Sequence, residues 1–425
     1  VEEFVLIIDS YLGLFEGYKL TIASRVMSRL CCANARDLGR SLYKLFATHG
    51  EEKLMTSRSK CVLKLSNGME FSGELIGAPL EASGELVFTT GMVGYSEALT
   101  DPSYFGQILL FTYPLIGNYG IPPLPSIKEL AASAGFESEK VHASAVIVSE
   151  DSADAFHWSS RQTLDEWLKG QNVPGITGVD TRQLVHLIRE EKKLFGRVVP
   201  DNASGVRTFS SKLPSVDPAV FFDPSAHEVV RAVSCEKPYI IGKGKKRVAV
   251  VDTGVKWNIL RQLASHGVEV EVLPWDHDLT KVDCSGWLLS NGPGDPVKTG
   301  DLKSRVSHLL SGDRPILGIC LGHQLLALAA GATTSRMPYG HRSHNQPVQL
   351  VGTRKGFVTS QNHGFMVDES TLPKDWEAWF VNANDQTIEG IKHKTKPFKS
   401  VQFHPEAAGG PRDTGWIIEQ FVKGL

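Results

Sequence analysis

No stretch of this 425-residue chain is apolar for long enough to cross a bilayer as a helix. The nearest, Phe4 to Phe15, is too short and is broken by Asp9. Cysteine is scarce. The six present (Cys31, Cys32, Cys61, Cys235, Cys284 and Cys320) form no C-x-x-C pair and no disulfide framework, which predicts free thiols in a reducing compartment. Charge of either sign is nearly balanced at a formal −2, so nothing marks a nucleic-acid partner. There is no Gly-Lys-Ser/Thr phosphate loop, no internal repeat and no low-complexity tract. The composition is that of a soluble enzyme, long enough for two or three domains with ample core.

What is present is concentrated in the C-terminal half. Gly318-Ile319-Cys320-Leu321-Gly322-His323-Gln324 follows the apolar Ile316-Leu317 and precedes the helix-forming run Leu325–Ala330. That is strand, tight turn, helix, with a cysteine at the apex and glycines two residues to either side, the pattern of a nucleophile elbow. A thiol at a helix N-terminus is biased towards thiolate by the dipole and the free N–H groups. The same residue also fits a small apolar core side chain.

A thiol nucleophile needs a base, and the base an orienting acceptor. Ser400-Val401-Gln402-Phe403-His404-Pro405-Glu406 reads as a strand ending in a loop that supplies both, as His404 and Glu406. His323 lies on the helix after the elbow and is expected to point away from the thiol. His363, in Ser360-Gln361-Asn362-His363-Gly364-Phe365, is expected to shape a pocket wall; most of the fourteen histidines read as structural. A third element, Leu288-Leu289-Ser290-Asn291-Gly292-Pro293-Gly294-Asp295-Pro296, runs from an apolar strand into a glycine-rich turn. Its backbone N–H groups suit an oxyanion hole, although Asn-Gly and Pro-Gly also mark ordinary turns.

In this order, NGPGDP (291–296), GICLGHQLLA (318–327) and SVQFHPEA (400–407) resemble the class I triad glutamine amidotransferases. The resemblance implies that Cys320 attacks the glutamine side-chain amide, His404 acts as base and then acid, and Glu406 orients His404. The backbone N–H groups of Leu321 and of the Gly292–Gly294 loop would hold the oxyanion. The segment Val87–Tyr104, continuing through Leu109–Gly120, together with Gly178–Arg182 and Asp252–Ile259, resembles the small subunit of carbamoyl-phosphate synthetase. That likeness covers roughly residues 60–425 and implies that Ser103 reaches the bound glutamine across a domain interface. It also implies ligand contacts from Leu321, Gln324, Asn362, Gly364 and Phe365. Within the family, TYPLIGNYGIP (112–122), SHNQPV (343–348) and His157–Leu168 look most like the multifunctional pyrimidine-pathway members of animals and fungi. Ammonia-dependent relatives replace the cysteine; this chain keeps Cys320. The stretch Gly409-Gly410-Pro411-Arg412-Asp413 varies the family's usual sequence after the triad glutamate.

The expected fold class is α/β: a C-terminal doubly wound class I glutamine amidotransferase domain plus an N-terminal mixed β/α domain. The expected division is a leader over 1–57, an N-terminal domain over 58–200, a connector over 201–245 and the amidotransferase domain over 246–425. Val62–Leu65 followed by Asn67-Gly68 signals a hairpin, and Gln162–Trp167 and Arg182–Glu190 have helical period. The connector holds several prolines and the basic run Lys243–Lys246, read as a solvated linker. From Arg247, apolar strands Val248–Val251, Val268–Leu273 and Trp287–Leu289 alternate with a helix at Asn258–His266. Val1 is no initiator, so the leader suggests a fragment or an extended gene model. From Met27 to Phe46 it is Arg- and Ser-containing with Asp37 its one acidic residue, as a mitochondrial transit peptide would be. A true start at Met55, or a disordered extension, fits as well, and the downstream resemblance favours the cytoplasm.

Ammonia released in neutral water is mostly protonated and useless as a nucleophile, so an enclosed path to a partner is expected. The chain has no ATP-grasp-sized region. It therefore predicts L-glutamine as substrate and, as partner, a synthetase large subunit or a fused synthetase domain that holds ATP and Mg, with no cofactor or metal in this chain. Three alternatives remain: an amidotransferase feeding anthranilate or GMP synthesis, disfavoured by the N-terminal half; a cysteine peptidase, disfavoured by Gln324 and Asn362–Phe365; and a catalytically silent regulatory subunit, disfavoured by the complete Cys320, His404 and Glu406 set.

Overall fold

The computed structural model describes residues 58–124, 135–208, 210, 212–213 and 220–425, and residues 58–425 form one compact unit. The leader at 1–57 lies outside the described residues, as do parts of the expected connector.

The N-terminal part closes into a barrel that the alternation of strands and helices does not announce. Its strands are β1 (Lys60–Leu65), β2 (Glu70–Gly77), β3 (Ala82–Thr89), β4 (Gln107–Phe111), β6 (Ala145–Ile147), β8 (Pro174–Thr177) and β9 (Phe195–Pro200), in the order β1-β2-β8-β6-β4-β3-β9. The short pair β5 (Leu115–Ile116) and β7 (Glu150–Asp151) stands apart. The hairpin at Asn67-Gly68 joins β1 to β2, with Gly68 at φ 86°, where a Cβ would be strained. Alternate residues Cys61, Leu63 and Leu65 of β1 point inward to meet Ile108, Leu110, Ile147 and Val198. The helix Leu164–Gly170 starts where Thr163 and Glu166 form a reciprocal capping box. Asp180 caps the helix Thr181–Glu191.

The C-terminal part is a ten-stranded sheet, β10-β12-β11-β13-β14-β19-β18-β17-β15-β16. Strands β11 (Arg247–Asp252), β12 (Glu269–Pro274), β13 (Gly286–Leu289), β14 (Ile316–Ile319) and β19 (Phe398–Val401) are parallel neighbours, nearly all buried, as apolar strands covered on both faces should be. Strands β15 (Thr334–Leu350), β16 (Gly356–Val367), β17 (Trp376–Asn382) and β18 (Ile388–His393) extend the sheet antiparallel. In one respect the structure departs from the sequence reading. Part of the expected connector is β10 (Tyr239–Ile241), the antiparallel edge strand on β12. A three-residue apolar run among prolines is too short for its period to be read.

The parallel order 2-1-3-4-5 puts a ligand crevice at the carboxyl ends of the strands, near the switch between β11 and β13. The elbow sits there. Cys320 has φ 53° and ψ −105°, a strained non-glycine conformation, and caps the helix Leu321–Ala330. Its glycines are sterically required: a Cβ on Gly318 would lie 2.6 Å from the Gly322 carbonyl oxygen, and one on Gly322 would strike the Leu289 carbonyl. Gly322→Ala is therefore expected to cost about 3 kcal/mol in urea unfolding. Gly170→Ala, at an exposed helix glycine with nothing within 4 Å, should be neutral or slightly stabilising. Equal costs at the two sites would refute the steric reading of the elbow.

Candidate active site

The turn Pro102–Tyr104 brings the N-terminal half to the elbow. Asp101 caps it, accepting the Ser103 N–H at 2.9 Å, and Ser103 Oγ accepts from Asn291 Nδ2 at 2.9 Å. Ser103, Gly292, Gly294, Cys320, Gln324, Asn362, Gly364 and Phe365 line one cavity, together with Glu85, Gln107, Arg336, Arg342 and His363. Leu321 is different: its side chain is buried in a hydrophobic cluster with Leu325 and Leu289, and only its backbone, at the first turn of the helix, faces the elbow. Gln324 is fixed by donating Nε2 to the Phe365 carbonyl (3.0 Å) and to Gln402 Oε1 (2.9 Å). Asn362 accepts from the Cys320 thiol at 3.8 Å through its carbonyl, while its Nδ2 is buried with no partner. A buried, unpaired amide donor in a cavity wall is a natural contact for an acceptor on a ligand.

Cys320 and His404 are held on one backbone frame. Cys320 N–H bonds to the Val401 carbonyl, and His404 N–H to the Ser360 carbonyl, each at 2.9 Å. His404 Nδ1 donates to Glu406 Oε1 at 2.6 Å, and its Nε2 makes no hydrogen bond. Burial and the Lys256 ammonium push the His404 pKa down, but Glu406 and Cys320 outweigh them and the pKa is raised. Burial alone would push Glu406 up; His404 and Lys256 overcome it and hold the carboxyl at about 2. His323 turns away from the thiol into the core, where Nδ1 meets Ser400 Oγ at 2.9 Å and burial lowers its pKa to about 3.

Sequence reasoning missed the residue that balances this charge. Lys256 Nζ lies 3.3 Å from Glu406 Oε1 and 3.4 Å from Asp101 Oδ2. Burial opposes its charge, yet Asp101, Glu406 and Glu137 raise its pKa above the ordinary lysine value. Glu137 completes the cluster. Its backbone carbonyl and carboxylate accept the N–H groups of Trp257 and Asn258, both at 2.9 Å, capping the helix Trp257–Ser265 from the other half of the unit. Burial pushes its pKa up to about 7 against the pull of Lys256 and Arg261. The available signal was a lysine just before an amphipathic helix, which alone reads as a surface residue.

Among the described residues one group has metal-ligand spacing: His341, His363 and Glu389, whose ligand atoms lie within 4.8 Å of one another. His341 is already engaged at both nitrogens, Nδ1 with Glu389 at 3.1 Å and Nε2 with Asp385 at 2.9 Å. An imidazole donating to two carboxylates is cationic and has no lone pair for a metal. His341, Asp385 and Glu389 form an ion network, and His363 beside them, its pKa lowered by burial, lines the cavity.

Residues 249–424 match the family Glutamine amidotransferase class-I, and residues 63–198 match the Carbamoyl-phosphate synthase small chain, CPSase domain. The arginine-specific carbamoyl phosphate synthase small chain of Saccharomyces cerevisiae is 42% identical over 383 residues, which is 88% of this chain and 90% of that protein. The chain belongs to the carbamoyl-phosphate synthase small-chain family. The multifunctional protein CAD of Squalus acanthias is 46% identical over 364 residues, which is 85% of this chain but 16% of that protein. The arginine-specific carbamoyl phosphate synthase small chain of Emericella nidulans is 43% identical over 371 residues, 86% of this chain and 80% of that protein. The chain thus spans about a sixth of the length of the multifunctional relatives and most of the length of the separate small chains. The two matched segments coincide with the barrel and the ten-stranded sheet, and the Lys256 cluster is where this family member joins them.

Lys256→Met should cost roughly 3–5 kcal/mol in denaturant unfolding, because it leaves buried carboxylates unpaired. The pH dependence has a defined sign. A carboxyl held at about 2 in the fold and near 4.5 when unfolded contributes stability that is fully present above pH 4.5 and lost as pH falls towards 2. The gap in unfolding free energy between the native chain and Glu406→Gln should therefore widen from pH 2 to 4.5 and then level off. A gap that is flat across this range would mean Glu406 is not held by its partners.

Proposed function

We propose that this chain is the glutamine-hydrolysing component of a glutamine-dependent carbamoyl-phosphate synthase, working with a synthetase large subunit or fused synthetase domain in pyrimidine synthesis. The observation that carries the reading is the strained Cys320 on its elbow, in one cavity with the unpaired Asn362 Nδ2 and electrostatically coupled to His404, which Glu406 holds. Cys320 Sγ attacks the side-chain carbonyl of L-glutamine while its proton passes to His404. The tetrahedral oxyanion is held by the Leu321 N–H and the Gly292–Gly294 loop. As the intermediate collapses, His404 protonates the leaving nitrogen, giving ammonia and a glutamyl thioester. Water, deprotonated by His404, then cleaves the thioester to glutamate and restores the thiol.

A second cavity supports an enclosed hand-over of ammonia. It is lined by Lys256, His404, Asn362, Tyr104, His344 and Gly409, on the His404 side of the site. Glutamate and ammonia would then have separate surroundings from the moment they form. In this reading the chain needs no cofactor of its own, ATP and Mg act at the partner, and the protein is cytoplasmic. The pyrimidine assignment draws on the 46% identity to the multifunctional relative; the 42–43% identity to arginine-specific small chains favours arginine synthesis as the second reading.

Incubation with the glutamine analogue diazo-oxo-norleucine, followed by peptide mapping, should give a single adduct on Cys320 that glutamine blocks. Cys320→Ser in the assembled synthetase should lower glutamine-dependent synthesis at least roughly 10³-fold while ammonia-dependent synthesis survives. Loss of both activities in a correctly assembled complex would overturn this division of labour.

A further inference from the structure

A cavity of about 380 Å³ abuts the candidate glutamine pocket, between β3, the end of the helix Thr181–Glu191 and the start of β15. The two cavities share Glu85, Arg336, Arg342 and Gly364 as their partition. The lining of the larger one is one-sided in charge. Arg189, Lys192, Arg336 and Arg342 face it, and among the described residues Glu85 is its one carboxylate. Glu85 is spent on Arg336, to which it is ion-paired, and on Gln107 Nε2 at 3.0 Å. Arg336 is further fixed by Ser225 Oγ at 3.3 Å and by the Phe365 ring at 5.6 Å.

Arg342 has no such settlement. Its Nε is buried without a hydrogen-bond partner, and among the described residues no carboxylate forms an ion pair with it. Burial lowers its pKa, opposed by Glu85, Tyr104 and Cys320. A guanidinium kept this way in a shared wall is costly unless an anion visits it. Arg189, stacked 6.0 Å over the Tyr339 ring, and Lys192 are exposed at the outer rim. Cationic groups thus run from the rim, through Arg342, to the pocket that holds Cys320.

We propose that this cavity is an antechamber that takes the glutamate anion released by hydrolysis, with Arg342 handing it over from the glutamine pocket. The proposal rests on the glutaminase reading. Its logic is charge. Glutamine is a net-neutral zwitterion and glutamate carries one net negative charge, so a cation-lined space favours product over substrate. Product drawn off the thiol side frees the pocket for the next glutamine. Arg336 is in direct contact with Glu85, which leaves Arg342 as the partition's cation without a direct ion pair among the described residues.

The test uses the full chain with Arg189→Gln and Lys192→Gln combined. These residues line the antechamber and not the glutamine pocket, and both are exposed, so folding is not at risk. Glutamate and glutamine binding are measured by calorimetry in a Cys320→Ala background, and diazo-oxo-norleucine labelling of Cys320 in the otherwise native background. Expected is about a tenfold loss of glutamate affinity with glutamine affinity unchanged within twofold, the difference closing at high salt. Unchanged glutamate affinity, or an equal loss for both ligands, overturns the antechamber; normal Cys320 labelling would then leave the glutaminase reading intact. A native chain that binds neither glutamine nor the analogue sinks both readings together.

Discussion

One buried ammonium governs the arrangement. Lys256 faces Asp101, Glu137 and Glu406, carboxylates that approach from the barrel half and from the sheet half of the same unit. None of them could be buried so deeply as an unpaired anion, and the lysine could not be buried without them. Each carboxylate has a second task. Asp101 caps the turn carrying Ser103, Glu137 caps the helix Trp257–Ser265, and Glu406 orients His404. The balance around Lys256 therefore bears on the Ser103 turn, the start of a helix and the electrostatics of His404 together. Such a cluster contributes less to net stability than to fixing a single arrangement, because desolvation consumes most of the attraction.

The strain at Cys320 is tolerable because its neighbours leave it no alternative. Its N–H is tied to β19, and the next turn of helix is pressed against β13 where only a glycine at 322 fits. The backbone ladder that carries Val401 continues to His404, whose own N–H is tied to Ser360 of β16. The backbones of Cys320, His404 and the wall bearing Asn362 are thus fixed through main-chain bonds. A positive φ at a non-glycine residue costs of order 1–3 kcal/mol, which a buried elbow within a sheet of this size can absorb.

The elements that were legible in the sequence were those with local signatures. The parallel strands showed as apolar runs, the elbow as two glycines around a cysteine, the hairpin as Asn67-Gly68, and the helices by their period. The His404–Glu406 pair was legible because its members are two residues apart. Barrel closure was not legible, since it depends on β3 meeting β9 and β2 meeting β8 across long separations. The long hairpin of β15 and β16 and the edge strand β10 were hidden by mixed polarity and brevity. Lys256 and Arg342 were hidden for a common reason. Single basic residues read as surface groups until the structure shows what surrounds them.

These long-range pairings bear on whether the two family segments are separable. Residues 249–424 hold Cys320, His404 and Glu406, yet Lys256 within that segment is balanced partly by Asp101 and Glu137 from outside it. Without the barrel half, Lys256 would face Glu406 with less opposing charge, and the pull it exerts against protonation of His404 would grow. Asn291 would lose Ser103, and the helix Trp257–Ser265 would lose the Glu137 cap at its first N–H groups. Cys320, His404 and Glu406 thus belong to one half by sequence and to both halves by electrostatics, so the barrel is part of the candidate site and not a spacer beside it.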